Sequence, residues 1–361
     1  MEDKQAGKIR VLVVDDSHVT RKLYKELLRG DPRFELAGTA SHGKDAIECV
    51  QKLHPDIVSM DIEMPVMDGL KATRQIMEDH PVPILVVSNL YSPDKVGLAM
   101  DVLEAGALAI IAKPRGPGHP QADYQRKHYL NMLKSMSEVK VVRRRNLIRE
   151  KTKSEIEQPG FSPGIKNVPA FQEKDYRVLL IGASAGGPDA IKTIISQMPG
   201  EFPLPILIVQ HIDPHFAEAY RSWLQGQTSL KVQFSTTNQA LLPGHVYLPP
   251  GDVHMVVASE GMASLSFDPP VKGHRPCIAS LFKSAQRVYC ERVIAVILSG
   301  MGNDGAAELK QLKDCGALTL VQDEATSLVF GMPQEALRLG AAIKALSPNE
   351  MVKQIKSVLH L

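Results

Sequence analysis

The chain has 361 residues, enough for two domains that each bury a core. Apolar residues at 44% and charged residues at 23% exclude overall disorder, and a net charge of +2 sets up no field that points to nucleic acid or a membrane. The four cysteines (Cys49, Cys277, Cys290, Cys315) form no CxxC pair and no metal-ligand spacing. They read as free thiols, and with no apolar run of about 18 residues and no signal-peptide core after MEDKQAGKIR, a soluble cytoplasmic protein is expected.

In chain order, IRVLVVDD, PDIVSM, VPILVVS and LAIIAKP are Val/Ile/Leu-rich runs ending in polar residues, the pattern of buried parallel strands. Helical periodicity lies between them, in VTRKLYKELLRG, GKDAIECVQKL, GLKATRQIME and KVGLAMDVLEAG. The alternation predicts an open parallel sheet with helices on both faces and with polar strand ends gathered at one edge. From about 116 the rhythm stops. RGPGHPQ is followed by a predicted helix over Ala122–Glu150, with the basic cluster Lys140, Arg143, Arg144, Arg145 and Arg149, and then by the Pro/Gly/Ser/Lys-rich KTKSEIEQPGFSPGIKNVP. This stretch reads as a connector whose charges are solvated. After Tyr176, RVLLIGA, PILIVQH, VIAVILSG and ALTLVQD predict a second parallel sheet, and HVYLPPGDVHMVV through ASLSFD an antiparallel β insertion.

At the first sheet's edge, Asp15 and Asp16 close one strand and Asp61 closes another. Three carboxylates converging there repel one another unless a cation is present, and oxygen ligands at this charge density suit Mg²⁺. Ser88 and Lys113 end two further strands; a hydroxyl and an ammonium beside a metal-bound carboxylate are what a phosphoryl group on it needs. These residues make residues 9 to about 125 resemble a response-regulator receiver domain. The resemblance implies that Asp61 is the phosphoacceptor and that Asp15, Asp16, Asp61 and the backbone carbonyl of Glu63 hold Mg²⁺. Ser88 and Lys113 then contact the phosphoryl group. Three residues before the lysine, where many receivers have Tyr or Phe, stands Ile110.

In the second half, RVLLIGASAGGPDAIKTIISQM reads strand, glycine-rich turn, helix, with Ser184 in the turn. A serine at a helix N-terminus sits where free N–H groups favour developing negative charge. GASAG fits a nucleophile elbow, whereas a dinucleotide fingerprint is broken because Ser184 replaces its second glycine. His211 and Asp304 follow other strands, so the three can meet at one sheet edge: a serine needs a base, and the base needs a carboxylate to set its tautomer. His215, His245, His254 and His274 compete for the base role, but His211 directly ends an apolar strand. The order Ser, His, Asp differs from the Ser, Asp, His order of α/β-hydrolases.

Together, GASAGG, QHI, HRP, LSGMGNDG and QDEATSLVFGMPQEA, with the receiver ahead of them, resemble the protein-glutamate methylesterases of bacterial chemotaxis. The resemblance implies an α/β protein with two doubly wound parallel-sheet domains, a flavodoxin-like receiver (9–125) and a Rossmann-like methylesterase domain (176–361), joined by a linker (126–175). It implies that Ser184 attacks glutamate methyl esters, and also deamidates glutamines, on cytoplasmic chemoreceptor helices. His211 is then the general base, Asp304 its orienting acid, and Met301 N–H part of the oxyanion hole. It further implies Mg²⁺ in the receiver, no cofactor in the catalytic domain, a chemotaxis histidine kinase as phosphodonor, and neither nucleic acid nor membrane insertion. Ala185, Cys277 and Ala279 depart from the family's usual Thr and HRPSVD-like run. The competing function is a response regulator that acts by partner binding with a vestigial catalytic domain.

Overall fold

The computed structural model describes residues 7–89, 96–116, 118–139, 141 and 175–361. Its first half alternates β1 (Ile9–Val14), α1 (His18–Arg29), β2 (Phe34–Ala40), α2 (Gly43–Leu53), β3 (Ile57–Met60), α3 (Gly69–Asp79), β4 (Ile84–Ser88), α4 (Val96–Glu104) and β5 (Ala109–Ala112). The strands form one parallel sheet in the order β2-β1-β3-β4-β5. Every residue of β3 and β4 is buried, which is why these runs are apolar throughout and do not alternate. Helix starts carry local signals: Ser17 caps α1 and Asp68 caps α3, each side chain accepting a backbone N–H from the first turn.

The next helix, α5 (Ala122–Ser137), is shorter than the expected Ala122–Glu150. Its cap is Glu138, and residues 142–150, with the whole basic cluster (Lys140, Arg143, Arg144, Arg145, Arg149), lie outside the described residues. The helix packs on the first sheet, where Tyr129 stacks on Tyr24 at 5.0 Å and its hydroxyl bonds Ser59 Oγ at 3.1 Å. Through Tyr129 the middle of the helix therefore sits with the first sheet.

The second half runs β6 (Val178–Ala183), α6 (Gly187–Ile195), β7 (Ile206–Gln210), α7 (Ala217–Gln225), β8 (Lys231–Phe234), β9 (Gln239–Ala240) and β10 (His245–Leu248). It continues with β11 (His254–Ser259), β12 (Met262–Ser266), α8 (Ile278–Tyr289), β13 (Val293–Ile297), α9 (Ala306–Asp314), β14 (Leu318–Gln322), α10 (Met332–Arg338), β15 (Lys344–Leu346) and α11 (Pro348–Val358). Seven strands form a parallel sheet, β15-β14-β13-β6-β7-β10-β8, and three form an antiparallel one, β11-β12-β9. One expectation needs correcting: HVYL is not part of the antiparallel insertion. As β10 it pairs in parallel with β7 and β8, because all but its first residue are buried and a two-sided burial suits a parallel sheet.

Strand β6 shows how the sheet divides its core. Leu179 and Ile181 point to one apolar cluster, which is continuous with the first sheet's core, while Val178 and Leu180 point to a second under α8, α9 and α10. Across the junction of the two halves, Lys192 Nζ on α6 bonds Glu104 Oε1 on α4 at 2.6 Å, and α4 also packs on α7. The glycine-rich turn after β6 and the ends of β7 and β13 thus share one edge, and that edge faces α5.

Candidate active site and acidic pocket

Ser184 lies one residue past β6, its N–H donating to the Ser299 carbonyl at 3.0 Å and its carbonyl accepting from Gly187 N–H at 2.9 Å. Gly186 has φ +76, a conformation that needs glycine to turn the chain from strand into α6. Two residues that sequence reasoning passed over hold this turn. Gln210 Nε2 donates to the carbonyls of Ser184 (2.8 Å) and His211 (2.9 Å), and Ser299 Oγ donates to the Ala185 carbonyl (2.7 Å) while accepting from Val329 N–H (2.9 Å). A polar side chain inside an apolar strand run was the signal for both, since buried polar groups are retained when they are hydrogen-bonded.

His211 Nε2 donates to Asp304 Oδ2 at 2.9 Å. With Nε2 carrying the proton, Nδ1 is the lone-pair nitrogen; it is buried and has no hydrogen-bond partner among the described residues. Asp304 is 2% exposed and is held from α8's N-terminus: Ile278 N–H donates to Oδ2 at 2.7 Å, Ala279 N–H to Oδ1 at 3.0 Å, and the Cys277 thiol to Oδ1 at 3.0 Å. Burial works to raise the carboxyl's pKa, but the bonds from His211, Cys277 and Ile278 outweigh it and hold the group well below the usual carboxylate range. Ala279 loses nothing by lacking a polar side chain, because its backbone N–H makes the contact.

His274, one of the competing histidines, lies flat on His211, with ring centroids 4.1 Å apart and planes 3° from parallel. Burial, with the neighbouring His211 adding to it, pushes its pKa down to about 4, so it is neutral near pH 7. His215 and His245 instead bond locally to Asp213 and the Pro243 carbonyl, and His254 is buried against the Pro269 carbonyl. The structure thus brings together Ser184, His211 and Asp304, with Met301 beside them. Ser184, His211 and Met301 line a cavity of about 450 Å³ whose other wall is α5, through Tyr124, His128 and Met132. His128 Nε2 lies 3.7 Å from Asp213, which follows His211 by two residues, and Ile110 on β5 lines the same cavity.

The acidic pocket stands at the first sheet's edge. One carboxylate oxygen each from Asp15, Asp16 and Asp61 lies within 4.8 Å of the others, and Lys113 Nζ bridges Asp15 Oδ2 and Asp61 Oδ2 at 2.7 Å each. Burial pushes the Asp61 carboxyl up to about 6, against the pull of Lys113 and with Asp15 adding to the rise. Three carboxylates against one ammonium leave a surplus of hard, negatively charged oxygen donors, which fits Mg²⁺. Ser88 is buried at the end of β4, and Glu63 follows Asp61 in the same loop with its side chain exposed. Gly69 closes this loop: a Cβ there would fall on the Asp61 carbonyl oxygen. Gly69→Ala is therefore expected to cost about 1–3 kcal/mol, the usual price of overpacking, read as a lower midpoint in urea unfolding. An unchanged midpoint would show that the loop can move aside.

A CheB methylesterase family model matches residues 179–355, and a response regulator receiver domain model matches residues 11–121. A protein-glutamate methylesterase/protein-glutamine glutaminase of Geobacter metallireducens is 40% identical over 351 residues, 97% of this chain and 99% of that one. Its counterpart in Nitrosospira multiformis is 42% identical over 354 residues, 97% of each chain. The crystal structure of the Thermotoga maritima CheB methylesterase catalytic domain is 31% identical, with a TM-score of 0.49, covering 52% of this chain and 99% of its own.

Proposed function

Because the chain belongs to the protein-glutamate methylesterase/protein-glutamine glutaminase family, with a receiver domain ahead of a CheB methylesterase domain, we propose that it is a phosphorylation-controlled serine hydrolase acting on chemoreceptors. The single observation that carries the chemistry is the His211 imidazole: Nε2 is bonded to Asp304, and Nδ1 is left as a buried, unpartnered base at the cavity that Ser184 lines.

Ser184 Oγ gives its proton to His211 Nδ1 and attacks the methyl ester carbonyl of a receptor glutamate. Asp304 stabilises the imidazolium that forms. The oxyanion faces Met301 N–H and the N-terminal end of α6, donors of a kind typically worth about 10²–10³ in rate. His211 returns the proton to the departing methoxide, methanol leaves, and water activated by the same Nδ1 hydrolyses the acyl-enzyme to glutamate. A glutamine side chain follows the same course and releases ammonia.

In the receiver, Asp15, Asp16, Asp61 and the Glu63 carbonyl would hold Mg²⁺, which supplies positive charge to a phosphoryl group arriving from a histidine kinase. Ser88 and Lys113 contact that group after transfer to Asp61. Strand β5 joins the two sites, since Lys113 follows its last residue and Ala109, Ile110 and Ile111 line the cavity over Ser184. With α5 across the cavity mouth, the arrangement is the covered state, and phosphorylation shifts the equilibrium towards an uncovered one that admits a receptor helix. Residues 9 through the end of α5 act as the mobile part, and 176–361 as the catalytic part, of a cytoplasmic enzyme.

The test is methanol release from methylated chemoreceptor by the full chain, with and without acetyl phosphate and Mg²⁺, for wild type and Asp61→Asn. Release should rise with the phosphodonor in wild type and stay at its resting value in Asp61→Asn. Release that ignores the phosphodonor removes receiver control. No release by folded wild type under either condition favours a signalling module with a vestigial triad.

A further inference from the structure

Asp304 accepts four hydrogen bonds, and they are of two kinds. Two come from the backbone of α8 and do not depend on side-chain identity. One comes from His211. The fourth is the thiol of Cys277, a residue with 0% exposure whose sulfur stands 3.0 Å from Oδ1, the oxygen that His211 does not use. We propose that Cys277 is a positioning residue for the esterase reaction: its S–H, donated to Asp304 Oδ1, fixes the carboxylate and tempers the negative charge presented to His211.

The geometry separates this from ordinary core filling. Cys277 is the residue before α8; its backbone is extended (φ −127, ψ 133), and besides Asp304 its sulfur faces the N–H and hydroxyl of Ser280 in the first turn of that helix. A cysteine, being a small hydrophobe, could fill a core site with its sulfur against carbon. Here the sulfur faces a buried carboxylate, and a thiol beside an anion can serve it only as a donor. The proton stays on sulfur under all working conditions, because burial together with the adjacent Asp304 charge pushes the thiol pKa up to about 12. Oδ1 therefore accepts from Ala279 N–H and Cys277 S–H, while Oδ2 accepts from Ile278 N–H and His211 Nε2–H, and the carboxylate plane has no freedom to rotate.

The consequence reaches the base. Each donor on Asp304 withdraws charge from the carboxylate, so fewer donors leave a more concentrated negative charge facing His211. A more concentrated charge pulls harder on the Nε2 proton and changes how the imidazole is held for Ser184. The other charged or titratable groups at the cavity are His274, stacked on His211 and neutral near pH 7, and Asp213, His128, Tyr124, Asp252 and Arg275. The thiol's second neighbour, Ser280, faces it from the first turn of α8, so a serine at 277, which keeps a polar group there, is the control for that contact.

This inference rests on the esterase reading, so its test has one readout that needs no activity. The Nε2–H proton of His211 is followed by NMR in the full-length wild type, Cys277→Ala and Cys277→Ser, and methanol release is measured with the phosphodonor in the same three proteins. Cys277→Ala should move the Nε2–H resonance downfield, because the carboxylate it bonds carries more charge, and lower kcat/KM on the order of tenfold. Cys277→Ser, whose hydroxyl is the stronger donor at the same place, should bring the resonance back to the wild-type position or upfield of it and restore the rate. A resonance at the same position in all three proteins overturns the proposal, whether or not any of them releases methanol. So does a rate loss in Cys277→Ala that serine fails to rescue, since that is the signature of packing. Resonances that move as expected, with no methanol released by any of the three proteins, would leave the thiol's role standing and count against the esterase reading instead.

Discussion

Ser184→Ala should abolish phosphodonor-stimulated methanol release, a loss on the order of 10⁶-fold, and Asp304→Asn should lose about 10⁴-fold. The second figure has a specific cause in this structure. The carboxylate faces three donors besides the imidazole, namely the Ile278 and Ala279 N–H groups and the Cys277 thiol. An asparagine has one acceptor oxygen, which Ala279 N–H and the Cys277 thiol claim at the Oδ1 place, so its NH₂ takes the place of Oδ2 and faces both Ile278 N–H and His211 Nε2. The imidazole must answer with a lone pair on Nε2, which puts the proton on Nδ1 and leaves no base for Ser184. The substitution keeps the shape of the side chain, so the variant should fold, with a circular dichroism spectrum like that of wild type. Release within tenfold of wild type in Asp304→Asn would mean that Nδ1 is not the base.

The second large effect concerns the cover. Lys192 on α6 and Glu104 on α4 form an ion pair at 2.6 Å, with both side chains about a third exposed. The pair spans the junction between the receiver and the catalytic part, and Lys192 Nζ also lies 5.8 Å from the centre of the Trp223 ring on α7. The exposed edge of the pair limits its own worth to about 1 kcal/mol or less. Lys192→Glu does more than delete it, because two carboxylates then face each other at the junction and repel. A covered state whose uncovered partner is populated at 0.1–10% leaves room for an increase of about 10- to 1,000-fold in resting activity. The measurement is methanol release without phosphodonor. Lys192→Glu should approach the phosphorylated wild-type rate and respond little to acetyl phosphate, and the swap Glu104→Lys with Lys192→Glu should restore the low resting rate. Equal resting rates in wild type and Lys192→Glu would show that this junction does not hold the cover closed.

Much of both sites was legible in the sequence because each group ends a strand. Apolar runs such as VPILVVS and PILIVQH announce buried parallel strands, and a parallel sheet collects their C-terminal ends at one edge. Asp15, Asp61, Ser88 and Lys113 could be placed together on that ground, as could Ser184, His211 and Asp304. HVYL misled because a four-residue apolar run has the same appearance in a parallel sheet as in a hairpin; its neighbours β7 and β8 decide the matter, and they are distant in sequence. The helix after Ala122 was read too long, since periodicity does not show where a helix loses the surface it packs on.

The amino-acid sequence by itself therefore determined the two sheets, their order along the chain, and the chemistry gathered at each edge, because periodicity and strand-end residues are local properties. Tertiary structure alone decided the rest. The stacking of His274 on His211, the choice of Nδ1 as the free nitrogen, the four donors around Asp304 and the placement of α5 across the cavity all depend on elements from separate parts of the chain meeting in space. Such meetings are set by packing between whole elements, for which no short stretch of sequence carries a signal.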